Sequence, residues 1–191
     1  RTFSNLGKAM AAYEATLKYR VSAFDRYLDD LKTDQPSLHL TETQEAGLKL
    51  FIGKASCSSC HFSPLLSSQH FQNIGTGIRG KDMGRARIAE TQAWDEFNCL
   101  GEFSDAPESY CKDLKFMSKD RHGLSGSFKV PSLRNVSKTA PYLHDGRFKQ
   151  LDQVVEFYTN PPSKRKSGNH LPPIMLNELE QAQLVAYLKS L

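Results

Sequence analysis

No stretch of the 191 residues approaches the roughly 18 to 20 uncharged apolar positions of a membrane-spanning helix. With a mean hydropathy of -0.51, membrane insertion is not expected. Charge of one sign is lacking as well: 25 basic and 21 acidic residues are interspersed, and the net charge is +4. Lys164, Arg165 and Lys166 form the one tight basic run, too little to predict a nucleic-acid partner. Glycine (12) and proline (9) are too sparse for a collagen-like or low-complexity chain, and 39% hydrophobic residues suffice for a packed core. At this length one domain, or one with a short extension, is expected.

The chain starts at Arg1 with no basic-then-apolar leader behind it, so we expect it to be processed, trimmed or part of something longer. Apolar residues at Leu6, Met10, Tyr13, Leu17, Val21, Phe24, Leu28 and Leu31 recur every three or four positions and predict one long amphipathic helix, stopped by Pro36. Thr41 to Gln44 matches a capping box opening a second helix that carries Leu48, Phe51 and Ile52. From about Phe62 to Pro141 the sequence is rich in Gly, Ser and charge, with one possible short helix around Trp94 and Phe97. So long a loop in a compact domain usually wraps something. Leu151, Val154, Val155 and Tyr158 form another helical stripe ended by Pro161 and Pro162, and Asn177 caps a last helix through Leu184, Leu188 and Leu191. No run shows the period-two alternation of a convincing strand, so the expected fold class is all-α.

The four cysteines form two unlike pairs. Cys57-Ser-Ser-Cys60-His61 is the attachment signature of c-type haem. Two thiols on one turn reach two vinyl groups of a porphyrin edge, and the next residue ligates the iron from the proximal side. A zinc knuckle would need a second ligand pair, yet Cys99 and Cys111 lie far apart in sequence with no His-x3-5-His nearby. A thioredoxin-like redox pair would need a βαβ context that is absent. A covalent haem also accounts for the long loops, since a large flat apolar group gives such segments something to bury. Covalent haem belongs typically to extracytoplasmic compartments, where disulfides persist, so Cys99 and Cys111 are expected to be bonded.

The iron's other axial position is open on this reading. Chemically eligible residues are Met83, Met117, Met175, His39, His70, His122, His144, His170 and any well-placed tyrosine. By distance from the haem motif Met117 comes first, because small cytochromes c place an axial methionine several tens of residues downstream. A loop methionine is more often a packing residue.

Two further segments carry a family resemblance. Phe128-Lys-Val-Pro131-Ser-Leu-Arg134-Asn135-Val and Thr139-Ala-Pro141-Tyr142-Leu-His144-Asp-Gly146 resemble the C-terminal haem domain of bacterial di-haem cytochrome c peroxidases and their relative MauG. Gly47 to Phe51, Asp82-Met-Gly84-Arg85 and the C-terminal helix support the likeness. Residues Ala11 to Glu14 and Phe24 to Leu28 resemble the segment joining the family's two haem domains. The resemblance implies a cytochrome c-like haem domain with long loops over 37–191, preceded over 1–36 by a long linking helix from a missing N-terminal haem domain.

Within the family the peroxidases carry an axial methionine fourteen positions after the histidine of the Pro-Tyr-x-His-x-Gly stretch, and MauG has a tyrosine there; in this sequence the position is Tyr158. The resemblance therefore implies His61 and Tyr158 as axial ligands, with the methionines left to packing or the surface. A phenolate is a hard anionic donor that favours Fe(III) and higher states over Fe(II), so this haem would hold oxidising equivalents. Thr139 and Pro141 match positions whose backbone carbonyls help hold calcium between the haems. Arg134 and His144, and Arg85 with them, fall near a haem propionate or the path between haems, or else in turn and loop hydrogen bonds.

The implied activity is that of a MauG-like enzyme. Hydrogen peroxide would oxidise tryptophan or tyrosine residues of a partner protein through a high-valent state shared with a second haem on the missing half. The alternatives are a di-haem peroxidase drawing electrons from a small redox protein, and a mono-haem electron-transfer module. The expected partners are the N-terminal haem domain or chain and a protein substrate or electron donor, and the expected location is the bacterial periplasm. The family carries two haems on one chain and this sequence has one attachment motif.

Overall fold

The computed structural model describes residues 1–33, 36–76, 82–89, 91–92, 95–160 and 171–191. Trp94, Pro161, Pro162, the basic run at 164–166 and His170 lie outside the described residues. Among the described residues the chain forms α1 (Thr2–Glu14), α2 (Ala23–Lys32), α3 (Glu42–Ile52), α4 (Leu151–Thr159) and α5 (Glu178–Leu188). Short 3-10 turns and loops join them.

The single long helix expected over Leu6 to Leu31 is instead two. Residues 15–22 break it, and the cause is local. Thr16 turns its hydroxyl back onto the Tyr13 carbonyl at 2.7 Å. Ser22 then starts a new helix, its hydroxyl accepting from the Asp25 amide at 3.1 Å while the Asp25 carboxylate accepts from the Ser22 amide at 2.8 Å. That reciprocal cap stabilises a fresh N-terminus more than a continuous helix through Val21 and Ser22 would. The halves also differ in burial: α1 buries no residue, whereas α2 buries Phe24.

The expected capping box at Thr41 and Gln44 is present, as is the Asn177 cap of α5. Phe97 lies in a turn and not in a helix. Among the described residues, two features have no counterpart in the sequence reading: a 3-10 stretch over Glu108–Phe116, and β1 (Phe71–Gln72) pairing antiparallel with β2 (Phe128–Lys129). Two residues per strand are too few to show alternation.

The core is built where α3 packs on α5. Gly47 makes this approach possible, because a Cβ there would overlap the Gln183 carbonyl oxygen and sit 2.7 Å from Tyr187 Cβ. Tyr187 is 1% exposed and takes Phe24 and Phe51 edge-on, at centroid distances of 5.4 and 5.2 Å. Burial pushes its phenol well above the ordinary tyrosine range, so it stays neutral. Leu151 and Val155 of α4, Val136 and Leu66 belong to the same cluster, and Cys57 packs against it from its edge. The haem motif is thus attached to the core through Cys57. Cys99 and Cys111 are disulfide-bonded, and α1 leans on that loop through a Phe3 to Phe97 edge contact and a Lys8 to Asp105 ion pair.

Candidate haem-attachment site

After α3 ends at Ile52, Ser56 takes a left-handed conformation, φ 50°, and turns the chain into the 3-10 turn Cys57–Ser59. The turn brings Cys57, Cys60 and His61 together: the amides of Cys60 and His61 both donate to the Cys57 carbonyl, at 3.2 and 2.9 Å. Both thiols are free and partly buried. Burial pushes the Cys57 thiol up to about 11, and neighbouring Cys60 adds to the rise. The thiol is therefore neutral at physiological pH.

Nδ1 of His61 lies 3.0 Å from the Leu66 carbonyl oxygen. A carbonyl can only accept, which assigns the ring proton to Nδ1 and leaves the Nε2 lone pair available. Burial holds the imidazole below its ordinary value, outweighing the opposite pull of the Leu66 and Pro131 carbonyls. A neutral imidazole with a fixed tautomer is what a metal ligand requires.

These residues fit a covalently attached haem by donor chemistry: two unpaired thiols on one turn, then an imidazole presenting Nε2. Apolar side chains on the following segments stand partly exposed, among them Phe62 at 49%, Leu65 at 41%, Phe71 at 39% and Ile88 at 44%.

The other expected residues fall as follows. Tyr158 lies near the end of α4, one turn beyond buried Leu151 and Val155 on the same stripe, and is half-buried. Met117 receives an Arg85 N–H on its sulfur at 3.0 Å, and that guanidinium stacks over the Phe71 ring at 4.7 Å. Met175 is 77% exposed. The residues at 39, 70 and 122 are exposed. His144 stacks on Phe128 with ring centroids 3.5 Å apart and its Nε2 is 3.3 Å from Asp82 Oδ2. Thr139 and Pro141 are in an exposed turn, the Thr139 hydroxyl donating to the Val136 carbonyl. Among the described residues no three His, Cys, Asp or Glu side chains converge on a possible metal site.

Arg134 contacts both α2 and the loop after the cysteine turn. Its Nη1 donates to both carboxylate oxygens of Asp25 at 2.5 and 2.6 Å, and Nε donates to the Pro64 carbonyl at 2.8 Å. The sequence reading missed Asp25, Pro64, Leu66 and Ser132. Pro64 and Leu66 act through backbone carbonyls and leave no motif; Ser132 lies inside the Pro131 to Arg134 segment and Asp25 in a Ser-x-x-Asp capping pattern, signals to which no role was attached.

Burial alone would raise the Asp25 carboxyl, but the Arg134 and Ser22 hydrogen bonds outweigh it and hold it below the ordinary 3.8. Its stabilisation is therefore present above that value and disappears as pH falls through 3.8 toward the lower folded value. Asp25→Asn is expected to cost about 1 kcal/mol near neutral pH, a modest figure because the pair is solvent-screened, and almost nothing in strong acid. Denaturant melts at both pH values check this; equal losses at both would refute it.

No family model matches the sequence. The chain is 32% identical over 188 residues to cytochrome-c peroxidase IdrP1 of Denitromonas iodatirespirans, covering 96% of this chain and 48% of that protein. It is 29% identical over 185 residues to methylamine utilization protein MauG of Methylorubrum extorquens, covering 96% and 42%. Cytochrome c551 peroxidase of Pseudomonas aeruginosa is 30% identical over 197 residues, covering 100% and 44%. The chain thus spans about half the length of the curated relatives it matches. Among solved structures, a MauG-like protein associated with microbial copper homeostasis superposes with a TM-score of 0.56 at 26% identity, covering 88% of this chain and 47% of that one. No helix among the described residues is long and apolar enough to cross a membrane. With its cysteine-histidine turn and a match running almost end to end, the chain is a homologue of the cytochrome-c peroxidases and MauG.

Proposed function

We propose that this chain is the C-terminal haem-bearing part of a peroxide-dependent di-haem oxidoreductase of the MauG type, exported to the periplasm. Residues 37–191 would form the haem domain, and 1–36 would link it to the other haem domain. The observation that carries the reading is the Cys57, Cys60, His61 turn with its imidazole tautomer fixed by Leu66, set in a chain that aligns with these enzymes over 96% of its length.

When bound, haem c supplies one-electron chemistry with peroxide-derived oxidising equivalents. The protein's part is attachment, orientation and tuning. Cys57 and Cys60 would hold the haem through thioethers, each S–H adding across a vinyl C=C so that sulfur bonds one carbon and the thiol hydrogen the other. His61 would present Nε2 to the iron while Nδ1–H stays on Leu66. Tyr158 would supply a phenolate to the iron, an anionic donor that lowers the reduction potential. What supports that role is the register of the family resemblance: Tyr158 stands fourteen positions after His144. Thr139 and Pro141 would offer carbonyls to calcium, and a protein substrate or donor would dock from outside.

Tyr158→Met is expected to raise the haem potential and introduce the absorption of thioether ligation, whereas Met117→Leu leaves the spectrum unchanged. Redox titration and ferric absorption spectra of both variants check it; a spectrum altered by Met117→Leu but not by the change at 158 would overturn the tyrosinate assignment.

The relatives named as peroxidases favour a second reading, in which electrons come from a small cytochrome or copper protein and peroxide is reduced to water. Peroxide-driven oxidation of tryptophan or tyrosine in a partner protein, against oxidation of a reduced small redox protein, separates the two. One haem per intact mature protein would refute both and leave an electron carrier.

A further inference from the structure

Three successive carbonyls after the cysteine turn are each captured by a different side chain. Arg134 Nε donates to the Pro64 oxygen at 2.8 Å, the Ser132 hydroxyl donates to the Leu65 oxygen at 2.6 Å, and His61 Nδ1 donates to the Leu66 oxygen at 3.0 Å. The same Ser132 oxygen accepts the Arg134 amide at 3.1 Å, so the two gripping residues also brace each other. One residue further on, the Ser67 hydroxyl donates to the Val130 carbonyl at 2.7 Å.

The gripped turn does not adopt a relaxed geometry. Ser63 (φ 70°), Leu66 (φ 50°) and Gln69 (φ 58°) all occupy the left-handed region, which disfavours side chains with a Cβ. Such a conformation persists only where the surroundings over-determine it. Here the turn is held from within by the Leu66 amide on the Ser63 carbonyl, the Ser67 amide on the Phe62 carbonyl and the Ser63 hydroxyl on the Ser67 carbonyl, and from outside by the segment 130–134, whose Arg134 is in turn anchored on Asp25 of α2.

We propose that Arg134 and Ser132 are positioning residues for the His61 imidazole: by holding the Pro64 and Leu65 carbonyls they fix the strained turn whose next carbonyl, that of Leu66, sets the ring's tautomer and orientation, while Asp25 ties this grip to α2. The consequence for a haem rests on the attachment proposed above; the grip on the ring does not. A carbonyl held on Nδ1–H increases the electron donation of Nε2, so loosening it raises the potential of a bound haem.

Arg134→Lys and Ser132→Ala test this. Lysine keeps a positive charge for Asp25 but lacks the fork that serves two acceptors at fixed angles. Ser132 sits beside a surface carbonyl, so its loss is tolerated by the fold. The reporter is solvent exchange of the His61 Nδ1 proton by NMR, readable in haem-free protein and in a diamagnetic ferrous form alike, with the Tyr187 amide of α5 as reference. Each variant is expected to speed ring-proton exchange by about tenfold, the weight of one ordinary hydrogen bond, while the Tyr187 amide holds its rate. In haem-loaded protein the potential rises as well. An unchanged ring proton in both variants, or one that accelerates only in step with Tyr187, overturns the proposal. Absence of covalent haem would remove the attachment reading and leave the ring-proton result intact.

Discussion

A double Cys57→Ser, Cys60→Ser variant is expected to yield protein from which all haem extracts into acidified organic solvent, whereas the parent retains its haem through denaturation. A hydroxyl does not form the thioether, so no covalent bond to the porphyrin survives. Single replacements should each keep one thioether, and the reduced pyridine-complex band should shift toward the red with each bond lost, because an unmodified vinyl stays conjugated with the ring. The two sites are not equivalent in their surroundings. Cys57 packs against the cluster that holds Leu151, Val155 and Tyr187, and its thiol is pushed up to about 11 by burial. Losing a thioether at Cys57 therefore uncouples the cofactor from the core, while losing it at Cys60 leaves that anchorage in place. The stability loss should be larger for Cys57→Ser, as read by thermal melting. Haem still covalently held in the double variant, or a parent protein without colour, would sink the attachment reading.

The second large effect involves no functional group. Gly47→Ala places a methyl against the Gln183 carbonyl and 2.7 Å from Tyr187 Cβ. Neither neighbour can step aside: one is helix backbone and the other belongs to a side chain that is 1% exposed and in contact with Phe24 and Phe51. The helices α3 and α5 must separate, which loosens the packing of Leu184 and Leu188 with them. Overpacking of this kind costs about 3 kcal/mol or more, which in a chain of this size lowers the melting temperature by about 6 to 12 °C. Alanine is the better helix former, so intrinsic propensity predicts the opposite sign by up to about 1 kcal/mol. A calorimetric scan decides between them, and a variant more stable than the parent would mean that the helices are not in contact at Gly47.

How much of this was legible beforehand depended on whether the information sits in side chains of the local segment. The caps at Thr41 and Asn177 are side-chain patterns over four residues, and both appear as expected. The cysteine-histidine turn is of the same kind. The break between α1 and α2 was hidden because the apolar spacing from Leu6 to Leu31 runs on undisturbed through it; Ser22 and Asp25 outcompete helix continuation by capping, which periodicity does not register. The β1 to β2 ladder joins residues more than fifty positions apart with two residues a side, too brief for any pattern. Arg134 shows the limit most clearly. Its charge was visible, but its partners are an aspartate on a distant helix and a proline carbonyl.

The interruption at 15–22 also decides how force travels through the molecule. A continuous rod to Leu31 would have delivered any pull at its tip straight to Phe24 and Asp25. With two separate helices, the mooring of the core begins at Ser22, where the cap, the Phe24 amide bond to the Ser190 carbonyl and the Asp25 clasp on Arg134 coincide. A pull on α1 is then shared between residues 15–22 and the Cys99–Cys111 loop, which α1 grips through Phe3 on Phe97 and Lys8 on Asp105, and does not fall on the imidazole's mounting alone.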